Sequence, residues 1–288
     1  QDRALLGVNA VLMAVFAIII AYPLLFIVFA EFEGSSATMS LSLLPKKWTL
    51  AGYRAVAEYR WVWVGYLNSA IYTALGTVIG MVVCILAAYP LAQGDLPGHG
   101  WIMGLFLFTM YFGGGLIPTY LNIRNLGMLD TRWAIILNEA VSVYNMIVLR
   151  TGFTAVPDSL EESAKIDGAN DFITLFRIIL PLALPSFMVV MMYYAVAEWN
   201  NWFTAMVYLR RTDLLPLQTF MREILVTGDL QGMAETSSSG DGEFSLIYES
   251  YSIVKYCTII VATLPVLVIY PFIQRFFIKG VMIGAVKG

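Results

Sequence analysis

The residues with the chemical means to act lie in two places: inside long apolar runs, and in a charged stretch between two of them. Glu139, with Asn138 and Asn145 near it, and Glu198, followed by Asn200 and Asn201, interrupt runs that otherwise carry no charge. An ionisable group in such a run is costly, turns toward a bundle interior or water, and marks a functional site by default. Carboxamides and carboxylates bond hydroxyl groups, and the faces of Tyr193, Tyr194, Trp199 and Trp202 can stack on sugar rings. The set suits a sugar crossing a wet cavity. The structural alternative makes Glu198 a solvated helix end near the outer membrane edge and Glu139 an interhelical hydrogen-bonding group to a partner chain. Both carboxylates would repel a polyanion, which favours a structural or gating role for them. Contact then falls to Asn145, Asn200, Asn201, Tyr193, Tyr194 and Trp199.

Covalent catalysis has little to work with. The chain has no H-E-x-x-H, no G-x-S-x-G and a single histidine, His99, in a Gly-rich loop over 94–100 that reads as a solvated turn. Cys84 and Cys257 sit in apolar runs without a C-x-x-C companion, so they read as packing residues, and no metal site is expected. The phosphate-cradling motif G-x-x-x-x-G-K-[ST] is absent, so no ATP chemistry is expected on this chain. A net charge of -3 without a polybasic run gives no footing for nucleic acid.

The elements that must position these residues are set by composition. Hydrophobic residues make up 59% of the 288 positions and charged residues 13%, about half the usual share in soluble domains. A hydrocarbon core about 30 Å thick takes roughly 20 apolar residues per helical span. Six runs meet that need, at about 5–30, 66–92, 101–121, 133–149, 182–203 and 256–273. Backbone groups in lipid must be satisfied within helices or a closed barrel. Runs this long without period-2 alternation predict an all-α integral membrane protein, a single transmembrane domain over 1–288. The first run exceeds a signal-peptide core and should stay in the mature protein. Because the chain begins at Gln1 rather than Met, further native residues upstream are expected. The triple glycine 113–115 reads as ordinary bundle packing or as a gating hinge. Tyr59, Trp61 and Trp63 fit an interfacial belt, and 237–242, a Ser/Gly/Asp cluster, reads as a mobile loop.

The stretch 157–181, PDSLEESAKIDGANDFITLFRIILP, is dense in charge yet patterned. Ser159 with Glu162 forms a capping box, Gly168 is placed to end that helix in a left-handed cap, and Asn170 or Asp171 can cap a second helix. Phe172, Ile173, Leu175, Phe176 and Ile179 give the second helix an apolar face, and Pro181 should stop it. The product is a helix, glycine turn, helix hairpin outside the membrane, either docked on another protein or lying on the bilayer surface.

Glu162-Ser163-Ala164-Lys165-Ile166-Asp167-Gly168-Ala169, with Pro181 twelve residues on, resembles the Glu-Ala-Ala loop of importer permeases in the ATP-binding cassette superfamily; Ser163 stands where an alanine is usual. Asn68-Ser69, residues 198–202 and the tail from Gln274 to Gly288 resemble the maltose-type carbohydrate permeases. Residues 114–120 and 142–146 resemble the subgroup handling complex and acidic polysaccharides, down to an alginate importer subunit. The resemblance implies that the loop is cytoplasmic and enters a cleft on the ATPase, with Glu162, Ser163, Ala164, Asp167, Gly168, Ala169, Phe172 and Phe176 at the interface. It further implies a paralogous second permease, two ATP-binding subunits that hold the ATP and Mg, an extracytoplasmic solute-binding protein, an oligosaccharide cargo and a bacterial inner membrane with both termini cytoplasmic. No cofactor is expected on this chain.

Charge counting opposes that orientation. The side holding the termini carries Arg3, Arg150, Lys165, Arg177, Arg275, Lys279 and Lys287, and the other side carries ten basic residues, most in two long connections where the positive-inside rule weakens. An ion-driven secondary transporter is the competing function, disfavoured by the missing internal repeat and by the hairpin.

Overall fold

The computed structural model describes residues 2–30, 49–235, 256–271 and 274. Expectations at 237–242 and 275–288 lie outside the described residues, which contain no strand. Two compact units divide the chain: residues 1–63 with 220–264, and residues 64–219 with 265–288.

In the first unit, α1 (Asp2–Ala30) is apolar all round, and Leu5, Val11, Phe16 and Ile19 lie open on its surface. A helix of that kind is stable only against lipid or other helices. Its Phe26 meets Tyr256 edge-on at 6.3 Å. Helix α2 (Ala51–Glu58) leads into α3 (Arg60–Ala92), which begins six residues before the expected span. The aromatic cluster is engaged: Trp63 Nε1 donates to Ala57 O at 2.8 Å, and Trp61 stacks on Phe220 at 6.1 Å.

In the second unit several expected spans are broken. Helices α4 (His99–Tyr111) and α5 (Leu116–Asn125) meet at 108°, so 101–121 is not one rod. The bend falls on the triple glycine, where Gly115 takes φ +86°, a conformation that a side chain disfavours. The run 133–149 is also interrupted: α6 (Trp133–Ile136) ends, 137–142 is irregular, and α7 (Val143–Thr154) starts where Ser142 Oγ accepts from Asn145 N. That short cap competes with continuous helix and wins.

The hairpin comprises α8 (Asp158–Ile166) and α9 (Asp171–Thr174), which runs through a π-turn at Leu175–Ile179 into α10 (Leu180–Leu182). Pro181 therefore does not stop the second helix. The wide turn, with Leu180 N bonded to Leu175 O, accommodates a residue without an N–H, and the chain bends instead by 87° at Ala183 into α11 (Leu184–Trp199). The expected span over 182–203 thus ends early, and α12 (Phe203–Tyr208) follows. Beyond it lie α13 (Leu217–Glu235), whose residues from Phe220 on belong to the first unit, and α14 (Tyr256–Pro271), a shorter apolar helix whose residues up to Leu264 also belong to the first unit.

Two described helices are long and apolar enough to cross a bilayer alone, and four spans result if each bent pair counts as one. The core of the second unit gathers Ala88, Leu149 and Val190 from α3, α7 and α11, all fully buried. Glycines set the spacing. Gly80 lies under the Tyr194 ring, Gly76 against Glu198 and Gly152 against Ser186, each close enough that a Cβ would collide. Small residues at crossings are how helices approach where water supplies no hydrophobic drive.

Candidate functional site

The hairpin is built by local rules. Gly168 takes φ +81°, its N–H bonds Lys165 O at 3.1 Å, and Ala169 N bonds Ala164 O at 2.9 Å. These are the paired bonds of a glycine-terminated helix end, as the sequence predicts. Asn170 Oδ1 accepts from Ile173 N at 2.9 Å and starts α9. The predicted capping box is not formed. Pro157 is the cap residue, Ser159 lies inside the first turn, and Asp158 and Glu161 supply negative charge to the helix start instead.

Of the residues expected at a coupling interface, Glu162, Ser163, Asp167, Gly168, Phe172 and Phe176 are exposed, Ala169 is half-buried and Ala164 is buried under the hairpin. Ile166 stands 86% exposed and Phe172 66%, while Leu175 and Ile179 point into the core. The second helix thus splits its apolar residues between the body of the unit and an open surface.

The root of the hairpin is fixed by a residue that sequence reading did not single out. Glu161 Oε1 accepts from Gln93 Nε2 at 2.8 Å and from Tyr89 Oη at 3.4 Å, both near the end of α3, and pairs with Lys165 at 3.1 Å. That hydrogen bond to Glu161 holds the Lys165 ammonium above its ordinary pKa. A cleft of about 240 Å³ opens beside it, lined in part by Asp95, Asp158 and Glu162. His99 is no solvated turn: it opens α4, its Nε2 lies 3.1 Å from Leu91 O and 3.3 Å from Arg150, and Arg150 Nε donates to the same carbonyl at 2.6 Å.

Inside the unit, Tyr194, Glu198, Trp199 and Asn145 are buried, Asn201 is half-buried, and Tyr193 and Asn200 are open. Tyr194 Oη donates to Ala140 O at 3.3 Å and accepts from Ser142 N at 3.2 Å, so it braces the gap between α6 and α7. Glu198 does end a helix, but it is not solvated. It is 2% exposed against Gly76, and among the described residues neither carboxylate oxygen has a hydrogen-bond partner; Thr73, Thr77 and Asn201 Nδ2 are likewise unsatisfied. Glu139 is open to the surface and accepts from Thr204 Oγ1 at 3.5 Å within the chain.

Asn68 and Ser69 form a buried polar hub. Asn68 Nδ2 donates to Asp213 O at 2.8 Å and Leu215 O at 3.1 Å, its Oδ1 accepts from Arg132 at 3.0 Å, and Ser69 Oγ accepts from Leu217 N at 2.9 Å. Tyr72 Oη adds a 2.7 Å bond to Leu214 O. Asp130, at φ +59°, accepts from Arg210 N at 2.9 Å and Arg211 N at 3.0 Å, which holds its carboxyl below the usual range. The polar pair at the head of an apolar run was the only signal for the hub; nothing local announces contacts between positions 64 to 148 apart.

These features define a helical protein with long apolar spans and a glycine-turned hairpin rooted on its second unit. No family model matches the chain. It is 39% identical to the polygalacturonan/rhamnogalacturonan transport system permease protein YtcP of Bacillus subtilis (strain 168), over 96% of each chain. It is 28% identical to the inner membrane ABC transporter permease protein YcjP of Escherichia coli (strain K12), over 96% of this chain and 94% of that one. Among solved structures it superimposes with TM-score 0.83 on a bacterial ABC transporter involved in the import of the acidic polysaccharide alginate, at 32% identity over 96% of this chain and 97% of the other. The chain belongs to the sugar permease subunits of ATP-binding cassette transporters. It is a transport subunit and not an enzyme, and the ATPase is a separate subunit.

Proposed function

We propose that this permease forms half of the import path for an oligosaccharide cut from an acidic polysaccharide, and that its hairpin receives the stroke of the ATPase. The observation that carries the second part is the hairpin itself. Its turn is fixed by Gly168, its root by Glu161, and its outer face presents Phe172, Phe176 and Ile166 to the surroundings. Apolar side chains on so small an element favour a covering partner. The acidic cargo is supported by the two relatives named for polygalacturonan and for alginate. In the assembled importer this chain pairs with a second permease, two ATP-binding subunits holding ATP and Mg, and an extracytoplasmic solute-binding protein. It has six spans, both termini are cytoplasmic, and the hairpin lies between spans four and five. The two bent helix pairs are consistent with spans kinked rather than missing.

Reconstituting the complex with Gly168→Val or Glu162→Lys tests the coupling. The expected result is normal insertion and assembly with loss of substrate-stimulated ATP hydrolysis. Valine at φ +81° is strained whatever the space around it. Unchanged stimulation in both variants overturns the proposal.

A further inference from the structure

We infer that the gap between α6 and α7 lines the translocation path, and that Tyr144 and Tyr193 beside it form a platform on which one sugar ring of the cargo stacks. The inference deepens the importer reading and rests on it. It starts from depth. Helix α7 has 12 residues and rises about 18 Å from the hairpin side, so the irregular stretch 137–142 lies well inside a hydrocarbon core about 30 Å thick. Non-helical backbone at that depth is tolerated only where protein buries it or where it lines a water-filled cavity.

Burial does not account for all of this stretch. Tyr194 ties down Ala140 and Ser142, yet Asn138, Glu139 and Val141 remain open to the surface. An open carboxylate and carboxamide facing lipid would be expensive. That side of the unit therefore turns away from lipid, toward the second permease, and the inference places the water-filled path between the two.

Two positions beyond this stretch, Tyr144 pairs with Tyr193 in an aromatic pair open to a ligand. Tyr144 is 53% exposed and Tyr193 37%, although each neighbours a buried residue, Asn145 and Tyr194. Their ring centroids are 6.0 Å apart with planes at 43°, a tilted cradle rather than a closed stack. Each ring can offer its face to the C–H side of a pyranose. Glu139 accepts from Thr204 at 3.5 Å and keeps capacity for a sugar hydroxyl, but disfavours a sugar carboxylate close by. The platform thus recognises the ring face and hydroxyls of the cargo and leaves its acidic groups to other parts of the complex.

The test uses the whole complex in membrane vesicles, with Cys84→Ser and Cys257→Ser as background and a galacturonate trisaccharide as probe. Tyr144→Cys and Tyr193→Cys should react with a hydrophilic, membrane-impermeant maleimide, with or without ATP, and the trisaccharide should slow the reaction. No reaction at either position, or reaction indifferent to sugar, overturns the platform. In transport, Tyr144→Ala and Tyr193→Ala should raise KM by about tenfold while the Phe variants stay near wild type. Unchanged KM in the Ala variants, beside active wild type, overturns the platform and leaves the importer reading standing. Sugar-protected labelling in a complex that hydrolyses ATP without accumulating the trisaccharide sinks the importer reading and keeps the platform.

Discussion

Glu161 Oε1 accepts a hydrogen bond from Gln93 Nε2 at 2.8 Å, and this joins the first hairpin helix to the residue that follows α3, the longest helix among the described residues. Tyr89 reaches the same oxygen at 3.4 Å. A load placed on the hairpin reaches α3 through this contact as well as through the backbone. Gln93→Ala and Glu161→Ala should each cost about 1 kcal/mol of stability. In the reconstituted importer they should raise the ATP hydrolysed per sugar moved. An unchanged ratio would show that the backbone alone carries the motion.

Lys165 pairs with the same carboxylate, but its side chain is 48% exposed, and pairs so placed contribute little. Its pKa lies above the ordinary value, so whatever the pair contributes is complete below the unfolded lysine pKa of about 10.4 and is lost only as pH rises through the higher folded value. Lys165→Met should therefore leave the thermal midpoint nearly unchanged, with no trend between about pH 6 and 9. A difference growing across that window would contradict the assignment of the shift to Glu161.

Asn68 satisfies three partners from inside the second unit: the carbonyls of Asp213 and Leu215, and Arg132. Removing it leaves buried polar groups without partners, at about 1–3 kcal/mol each. Asn68→Ala should thus lower stability by about 2–4 kcal/mol. Ser69→Ala, which loses the single bond from Leu217 N, should cost less. Thermal unfolding of the detergent-solubilised complex reads both. Equal effects would mean that the hub acts by volume and not by bonding.

Gly152 and Ser186 mark a crossing of α7 and α11 where a Cβ has no room. Gly152→Ala should destabilise by about 1–3 kcal/mol through overpacking. Adding Ser186→Gly removes the atoms in the way and should recover a good part of that loss, as expected of directly coupled sites. Additive losses in the double variant would rule out the crossing as the cause.

What the sequence could and could not announce follows from the range of each interaction. The hairpin was legible because a glycine C-cap and an asparagine N-cap act over three or four residues, and both are formed as expected at Gly168 and Asn170. The apolar runs gave the helices, since length and absence of charge suffice. The breaks were not legible. The bend at Gly115 falls on the triple glycine that the sequence offered as a hinge, whereas the gap after Ile136 and the 87° turn at Ala183 depend on a tertiary partner, Tyr194, and on a π-turn that accommodates Pro181. Tyr194 and Glu198 were read as lining a path from residue type alone. Their burial comes from Gly80 and Gly76, more than a hundred positions away.

Glu198 is the sharpest case. Its side chain is 2% exposed, packed on Gly76, with both oxygens unpartnered among the described residues. A buried charge without a partner is costly. Glu198→Gln keeps the shape and removes the charge, so it should be neutral or raise stability, with transport retained. Glu198→Ala removes the packing against Gly76 and should lower stability by about 2–4 kcal/mol. The two outcomes separate a space-filling role from an electrostatic one, through the thermal midpoint of the solubilised complex and uptake by vesicles. If Glu198→Gln is as damaging as Glu198→Ala, the carboxylate is engaged by a group outside the described residues, and the packing account of this site fails.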